Sequence, residues 1–331
     1  MFSYLLGFAV RRVLLFIDLM DRPNDRSNHS VPTPRGGGIG IMLAIWTGFF
    51  AASGGSGPPL AVTVLTGSFV LAALSLLDDR YSLAWSTRIA LQLFVSVVVV
   101  AAFGLIMSAP AGLGGSWLLA PVLVLWITGY ANAFNFMDGI NGLAGFQAML
   151  TGIGTALVAV RAGLPPNHPV VTLSLLLAGG AAGFLPHNFP SARMFMGDVG
   201  SVPLGFLLAV LAVWIAAARG WAVLIPLGFL HANYVLDTGV TLVRRWRRGE
   251  VVHQAHREHF YQRAVRAGMS HTTVTLSEVI LEAAVGAVTI WAAGRTDSWP
   301  ALMCAVVFAL VCWGAFFLWC EATFRRAQTV D

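Results

Sequence analysis

The stretch H-N-F-P-S-A-R-M-F-M-G-D-V-G-S-V-P-L-G, residues 187–205, decides how this chain folds, because it is a polar insertion between two long apolar runs. It holds one carboxylate, Asp198, between Gly197 and Gly200. A carboxylate at the edge of a hydrocarbon layer is costly, and it therefore indicates a functional site. Glycines allow close backbone approach to a phosphate, and the amides that open a helix bind anions. The alternative is a plain turn in which Asp198 caps a helix.

Apolar runs like the two beside this stretch recur along the whole chain. The 331 residues are 57% hydrophobic and only 11% charged, whereas soluble domains carry about 25% charged residues. We predict an all-α, polytopic membrane bundle that forms a single domain over residues 1–331, with ten to eleven transmembrane helices. The predicted spans lie near residues 2–20, 36–52, 60–77, 87–107, 116–134, 139–161, 168–186, 202–218, 220–243, 272–293 and 299–320.

Odd-numbered and even-numbered connections between these spans lie on opposite sides of the membrane, and they differ in charge. Fifteen arginines lie in the connections after spans 1, 3, 5, 7 and 9 and in the C-terminal tail, whereas the other side carries Arg161, Arg219 and Arg295. The positive-inside rule makes the first side cytoplasmic. Because every polar motif falls on that side, we predict an active site at the cytoplasmic membrane surface, with membrane lipids and no nucleic acid as partners. A transporter would more often keep its polar groups near midspan.

Asp78 and Asp79 are adjacent at the end of the third predicted span. Neighbouring carboxylates repel each other and need a cation nearby. They are either a solvated helix end with Arg80 and Arg88 as counterions, or a magnesium ligand paired with a base or a phosphate-orienting group. Magnesium prefers carboxylate oxygens and keeps several of its waters.

The stretch N-A-F-N-F-M-D-G-I-N-G, residues 132–142, places three asparagines and an aspartate between the fifth and sixth spans. It is either an ordinary turn or a polar pocket for a planar group such as a nucleobase. In the second case Asn135 and Asp138 are one helical turn apart and share a helix face.

Two further loops are rich in basic side chains. His256 and His259 are three residues apart beside Arg257, and on a helix they would form one cationic face suited to a diphosphate. Zinc is the alternative ligand, although no cysteine or zincin pattern accompanies them. The Pro- and Gly-rich loop of residues 21–38 contains Arg35 and a triple glycine, and it suits a phosphate-bearing substrate.

Taken in order, five motifs resemble those of the polyprenyl-phosphate N-acetylhexosamine-1-phosphate transferases. They are P-T-P-R-G-G-G (32–38), D-D-R (78–80), N-F-M-D-G-I-N-G (135–142), F-M-G-D-V-G-S (195–201) and A-H-R-E-H-F-Y-Q (255–262). The resemblance implies that undecaprenyl phosphate attacks the β-phosphate of a UDP-N-acetylaminosugar in a bacterial inner membrane. The products would be undecaprenyl-diphospho-sugar and UMP. Magnesium is the implied cofactor, manganese could replace it, and a homodimer is compatible with the family.

The resemblance also implies residue roles. Asp198 and Asp79 resemble the metal ligands, and Asp78 with Asp79 resembles the catalytic pair at the lipid phosphate, which Arg35 would also contact. The implied nucleotide pocket contains Asn135, Asp138, Asn188 and Phe195. The implied diphosphate and sugar contacts are His256, Arg257, His259, Gly197 and Ser201.

The chain departs from the family pattern at several positions. Asn141 stands where relatives often carry a second aspartate, and Arg257-Glu258 stands where others carry a further histidine. T-P-R-G-G-G replaces the T-P-T-M-G-G of the peptidoglycan enzyme. These departures favour the branch that starts surface polysaccharides such as O-antigen, with UDP-GlcNAc or a UDP-6-deoxy-HexNAc as donor. Phospho-N-acetylmuramoyl-pentapeptide transfer and lipid-linked sugar transport are the alternatives. Direct displacement is favoured over a phospho-aspartyl intermediate.

Overall fold

The computed structural model describes residues 1–23, 31–106, 119–252, 254 and 256–329. Several predicted features lie partly or wholly outside the described residues. They are the loop of residues 21–38, the end of the fourth span, the start of the fifth span, the loop between those two spans, and the start of the histidine motif.

Helices form almost all of the described chain, as the apolar runs predicted. They are α1 (Phe2–Phe16), α2 (Gly38–Ala52), α3 (Pro59–Tyr81), α4 (Trp85–Ile106), α5 (Ala120–Phe136), α6 (Leu143–Arg161), α7 (Pro169–Asn188), α8 (Asp198–Arg219), α9 (Leu224–Phe229), α10 (Ala232–Arg247), α11 (Phe260–Arg266), α12 (His271–Ala293) and α13 (Trp299–Gln328). Two short strands, β1 (Met20–Asp21) and β2 (Thr33–Pro34), pair antiparallel.

Among the described residues, seven helices are long and apolar enough to cross a membrane, namely α3, α4, α6, α7, α8, α12 and α13. The bent pair of α9 and α10 makes an eighth if it is counted as one span. The prediction of an all-α polytopic membrane protein is confirmed. Every predicted span coincides with a helix or with this bent pair, although α1, α2 and α5 have only 15, 15 and 17 residues.

One continuous span over residues 220–243 was predicted from the sequence. In the structure this ninth span is broken into two helices. α9 and α10 are bent by 77° relative to each other, with Leu230 and His231 at the break. The Leu230 carbonyl accepts hydrogen bonds from Gln147 Nε2 at 3.0 Å and from Thr151 Oγ1 at 3.1 Å. Donors from a neighbouring helix are what allows a helix to break inside a bilayer, where no water can satisfy the backbone.

Helix α8 is the centre of the bundle. Every residue of its apolar window is buried, and it packs against α2, α3, α5, α6 and α7. The helix begins at Asp198 rather than near residue 202, because Gly197 adopts a φ of +73° that directs the chain into the first turn. Asp198 therefore lies at the positive end of the helix dipole, where a carboxylate is favoured.

The loop after β2 is fixed on the start of α8 through its backbone. Gly37 N–H donates to the Phe195 carbonyl at 2.8 Å, and Gly38 N–H donates to the Met196 carbonyl at 2.9 Å. A Cβ atom on Gly38 would lie 2.2 Å from the Gly200 Cα atom. Only glycine fits at this crossing, and the crossing brings Arg35 next to Asp198.

Candidate active site

One end of the bundle collects most of the polar motifs. α3 and α5 end there and α4 and α8 begin there, so that Asp78, Arg88, Asn135 and Asp198 line one pocket. The remaining lining residues are Leu74, Ser75, Trp85, Ile89, Gln92, Asn132, Phe136 and Val202. Residues of three motifs that are far apart in the sequence therefore meet in one pocket together with Arg88.

Asp198 is the most connected side chain of this pocket. Its Oδ1 atom accepts hydrogen bonds from Arg35 Nη2 at 2.6 Å and from Asn135 Nδ2 at 3.0 Å. Arg88 Nη1 lies 3.8 Å from its Oδ2 atom. Asn135 also donates to Ser201 Oγ at 2.8 Å, so Ser201 supports Asn135 from one turn further along α8.

The two adjacent aspartates face different partners. Asp78 lines the pocket, where Oδ2 pairs with Arg88 at 2.6 Å and Oδ1 accepts the Leu83 amide at 2.8 Å. Asp79 is turned away from the pocket, with a side chain only 1% exposed. Its Oδ1 atom lies 3.0 Å from Arg35 Nε, yet within the described residues neither oxygen accepts a well-aligned hydrogen bond.

Asp138 does not share a helix face with Asn135, so this prediction is wrong. α5 ends at Phe136, so Asp138 stands in the following turn and does not share a helix face with Asn135. Burial and the nearby charge of Asp198 raise the pKa of the Asp138 carboxyl well above its usual range. Burial therefore favours the protonated form of Asp138, in which the carboxyl can donate a hydrogen bond.

The remaining residues of the predicted nucleotide pocket contact other parts of the protein. Asn188 is buried and ties two loops together, because its Oδ1 accepts the Gly142 amide at 2.6 Å and its Nδ2 donates to the Met194 carbonyl at 3.0 Å. Phe195 forms a parallel bridge with Arg35. Asn141 Nδ2 donates to the Pro190 carbonyl at 3.0 Å, which accounts for an amide at this position.

The histidine segment is not a helix, and it does not form the predicted cationic face. The His256 and His259 rings are 4.9 Å apart, but His259 is the residue that precedes α11 and His256 lies in the irregular loop before it. Burial, together with the charges of His259 and Arg245, lowers the pKa of His256 to about 4. The His256 ring is therefore neutral at physiological pH.

His259 is joined to the pocket through α5. Its ring stacks on Phe136, a pocket residue, with 6.1 Å between ring centroids. The next residue but one, Tyr261, donates its hydroxyl to the Phe136 carbonyl at 2.9 Å. A Cβ atom on Gly139 would lie 2.1 Å from that hydroxyl, so the glycine makes this contact possible.

Asp237 is a site residue to which the sequence assigned no secure role. Its Oδ1 atom lies 2.9 Å from His259 Nδ1, and its two oxygens accept the Phe260 amide at 3.1 and 3.0 Å. Both Asp237 and His259 are buried. Asp237 therefore holds the imidazole ring and the start of α11 together. The only sequence signal was a carboxylate within an otherwise apolar span.

Arg88 was expected only as a counterion, yet it lines the pocket beside Asp78 and Asp198. The sequence feature that could have indicated this is the position of Arg88 in the first turn of α4, ten residues after Asp78 and across a short turn. The two helix ends must lie side by side for so short a connection to join them.

Asp79 and Asp198, the metal ligands that the resemblance implied, both lie beside the Arg35 guanidinium. No group of three or more His, Cys, Asp or Glu side chains forms a metal cage in the described part of the chain. Magnesium does not need such a cage, because it commonly binds one or two carboxylates and completes its shell with waters and substrate phosphates. Asp79 fits this requirement through Oδ2, which accepts no well-aligned hydrogen bond among the described residues, whereas Arg35 Nε lies 3.0 Å from Oδ1.

Known proteins resemble this chain over most of its length. A family model described as glycosyl transferase family 4 matches residues 61–216. A probable undecaprenyl-phosphate N-acetylglucosaminyl 1-phosphate transferase of Bacillus subtilis (strain 168) is 32% identical, over 79% of this chain and 74% of its own. A decaprenyl-phosphate N-acetylglucosaminephosphotransferase of Mycobacterium tuberculosis (strain ATCC 25618 / H37Rv) is 31% identical, over 83% and 76%.

A third relative, the undecaprenyl-phosphate alpha-N-acetylglucosaminyl 1-phosphate transferase of Escherichia coli (strain K12), is 27% identical over 96% of this chain and 87% of its own. The matched region of the family model begins in α3 and ends in α8, and it therefore contains Asp78, Asp79, Asn135 and Asp198. This chain belongs to glycosyl transferase family 4, the polyprenyl-phosphate N-acetylhexosamine-1-phosphate transferases whose motifs its sequence resembles.

Proposed function

We propose that this chain transfers an N-acetylaminosugar 1-phosphate from a UDP-sugar to undecaprenyl phosphate and releases UMP, at the cytoplasmic face of a bacterial inner membrane. The observation that carries the proposal is the pocket in which Asp78, Arg88, Asn135 and Asp198 meet, with Arg35 and Asp79 directly beside it. The names of the relatives support a polyprenyl-phosphate acceptor and an N-acetylglucosamine donor.

Phosphoryl transfer depends on placement and charge neutralisation more than on covalent chemistry by the protein. Arg88 and Asp78 form the lining of the pocket closest to the end of α3. Arg88 attracts the acceptor phosphate there, and Asp78 takes the proton that the phosphate loses as it becomes the nucleophile. Asn135 holds Asp198 in place through its 3.0 Å hydrogen bond.

A magnesium ion bound by Asp79 and Asp198 would neutralise the negative charge of the donor diphosphate. The remaining residues orient the donor. The Asp138 carboxyl and the Asn135 carbonyl oxygen present hydrogen-bonding groups to the uracil. The neutral His256 ring and the His259 ring that Asp237 holds contact the diphosphate or the sugar.

A panel of UDP-sugars tests the proposal. Membranes that contain the chain are incubated with undecaprenyl phosphate, Mg²⁺ and, in turn, UDP-GlcNAc, UDP-6-deoxy-HexNAc sugars and UDP-MurNAc-pentapeptide. We expect UMP release with one UDP-HexNAc and a lipid product of the mass of undecaprenyl-diphospho-HexNAc. Membranes with Asp198→Asn are the control. If no UDP-HexNAc yields UMP, the proposal is refuted, and turnover of UDP-MurNAc-pentapeptide alone would indicate the peptidoglycan reaction.

Transport of a lipid-linked sugar remains the competing function, because α9 and α10 form a broken span and Glu278 and Glu282 are buried in α12. Broken helices and buried acids near midspan are typical of transporters. A transporter would move its lipid across a vesicle membrane without releasing UMP. The same incubation therefore separates the two functions.

A further inference from the structure

Arg35 bridges the two carboxylates to which a divalent cation would bind. Its Nε atom lies 3.0 Å from Asp79 Oδ1, and its Nη2 atom lies 2.6 Å from Asp198 Oδ1. Asp79 lies in the last turn of α3 and Asp198 begins α8, so a single guanidinium connects the adjacent ends of two packed helices. A planar guanidinium with several donors is well suited to bridge two carboxylates.

The three side chains of this bridge differ in exposure. The Asp79 side chain is 1% exposed and Asp198 is 15% exposed, whereas Arg35 is 36% exposed. Asp79 is therefore the most buried member of the bridge, and Arg35 is the member that solvent reaches most.

The backbone of Arg35 is fixed independently of its guanidinium. The neighbouring Gly37 and Gly38 amides are bonded to the 195–196 backbone, and the Arg35 amide donates to the Leu19 carbonyl at 3.1 Å. These contacts involve no atom of the guanidinium. Loss of the two ion pairs would therefore leave the backbone contacts of the loop in place.

A divalent cation and the guanidinium compete for the same two carboxylates. Asp198 Oδ1 already receives Arg35 and Asn135, and Asp79 Oδ1 faces Arg35 Nε. Two positive charges held by the same pair of carboxylates repel each other in a site with little water. Binding of one therefore weakens binding of the other.

On this basis we infer that Arg35 is an exchangeable counterion: its guanidinium pairs Asp79 with Asp198, and a divalent cation binds these carboxylates by displacing it. The inference rests on the proposed function for the identity of the cation. Once displaced, the guanidinium is free to contact the donor diphosphate. Arg35 thus holds the two carboxylates close to each other and lowers the intrinsic affinity for the metal.

Equilibrium binding of Mn²⁺ to the purified full-length protein, measured by electron paramagnetic resonance without nucleotide or lipid substrate, tests this inference. Arg35→Gln should bind Mn²⁺ about tenfold more tightly than the wild type, because one strong charge-assisted competitor is gone. Arg35→Lys keeps the charge but cannot form the planar bridge, so its Mn²⁺ affinity should lie between those of the wild type and Arg35→Gln. If Arg35→Gln does not fold, the comparison of Arg35→Lys with the wild type tests the inference. Asp198→Asn should lose the binding.

Arg325→Gln is the matched control, because Arg325 pairs with Glu321 at 3.1 Å and is 75% exposed. Its Mn²⁺ affinity should equal that of the wild type. Equal or weaker binding by both Arg35 variants would overturn the inference. The outcome is independent of turnover: tighter binding without UMP release would refute only the proposed reaction, and UMP release with unchanged metal affinity would refute only the counterion role.

Discussion

Asp237 and His259 form a buried pair in which the Asp237 Oδ1 and His259 Nδ1 atoms are 2.9 Å apart, with side chains 1% and 2% exposed. A carboxylate can only accept, so the shared hydrogen belongs to Nδ1. This fixes the orientation of the ring and leaves Nε2 as the nitrogen that can meet a substrate.

Asp237→Asn should therefore lower turnover by about tenfold or more, because the amide can present its own N–H groups and change the tautomer of His259. UMP release per folded protein measures the effect. Thr241→Val is the control, since Thr241 Oγ1 donates to the same carboxylate at 3.3 Å without touching the ring, and its turnover should change little. Wild-type turnover in Asp237→Asn would show that the pair only stabilises the fold.

Asp198→Asn should abolish turnover and remove the magnesium dependence of nucleotide binding. The amide keeps the shape of the side chain but loses the charge that a divalent cation requires. Nucleotide titrations with and without Mg²⁺, beside UMP release, measure both effects. Asp297→Asn, in an exposed loop, should behave like the wild type. Residual turnover above a few per cent in Asp198→Asn would contradict the metal assignment.

The low pKa of His256 predicts a pH dependence of stability. Between about pH 4 and the ordinary value of 6.5, the unfolded chain binds a proton at this position and the folded chain does not. Stability at this site therefore rises with pH through that window and is lost as the pH falls towards 4. Thermal unfolding of detergent-solubilised protein from pH 4 to 7 should show a shallower slope for His256→Gln than for the wild type. Parallel slopes would show that the His256 ring has the same pKa in the folded and the unfolded chain.

Gly38→Ala should separate the Arg35 loop from α8. The added Cβ atom would meet backbone atoms of Gly200 at 2.2 and 2.4 Å, and backbone cannot move aside as a flexible side chain can. Overpacking of this kind costs about 1–3 kcal/mol, and here it also moves Arg35 away from Asp198. Gly179→Ala is the control, because a Cβ atom there meets nothing within 4 Å. Equal unfolding temperatures and equal Mn²⁺ affinities in the two variants would contradict the predicted crossing.

Periodicity and charge were sufficient to predict the helices and to place the polar loops on one side. They could not predict the break at Leu230, because its carbonyl is satisfied by Gln147 and Thr151 from α6, and such long-range partners leave no mark on the local pattern. The start of α8 was misplaced for a related reason, since polar residues at a helix end weaken the apolar signal that marks its boundary.

The candidate site residues were predicted by motif, but their pairing was not. Arg35 and Asp198 are 163 positions apart, and the backbone hydrogen bonds to residues 195–196 and the packing of Gly38 on Gly200 bring them together. The sequence also suggested a charged histidine face, whereas burial makes His256 neutral. Burial depends on the fold as a whole, so local composition is a poor guide to protonation.

Helix α8 carries Asp198 at its first residue and has its entire apolar window buried by other helices. Lipid chains therefore touch α4 and α13, which are buried over only 33% of their windows, but not α8. Hydrophobic mismatch tilts or shifts helices that face the bilayer. The depth of the candidate metal site is consequently set by protein packing, and the reaction should tolerate bilayers of different thickness.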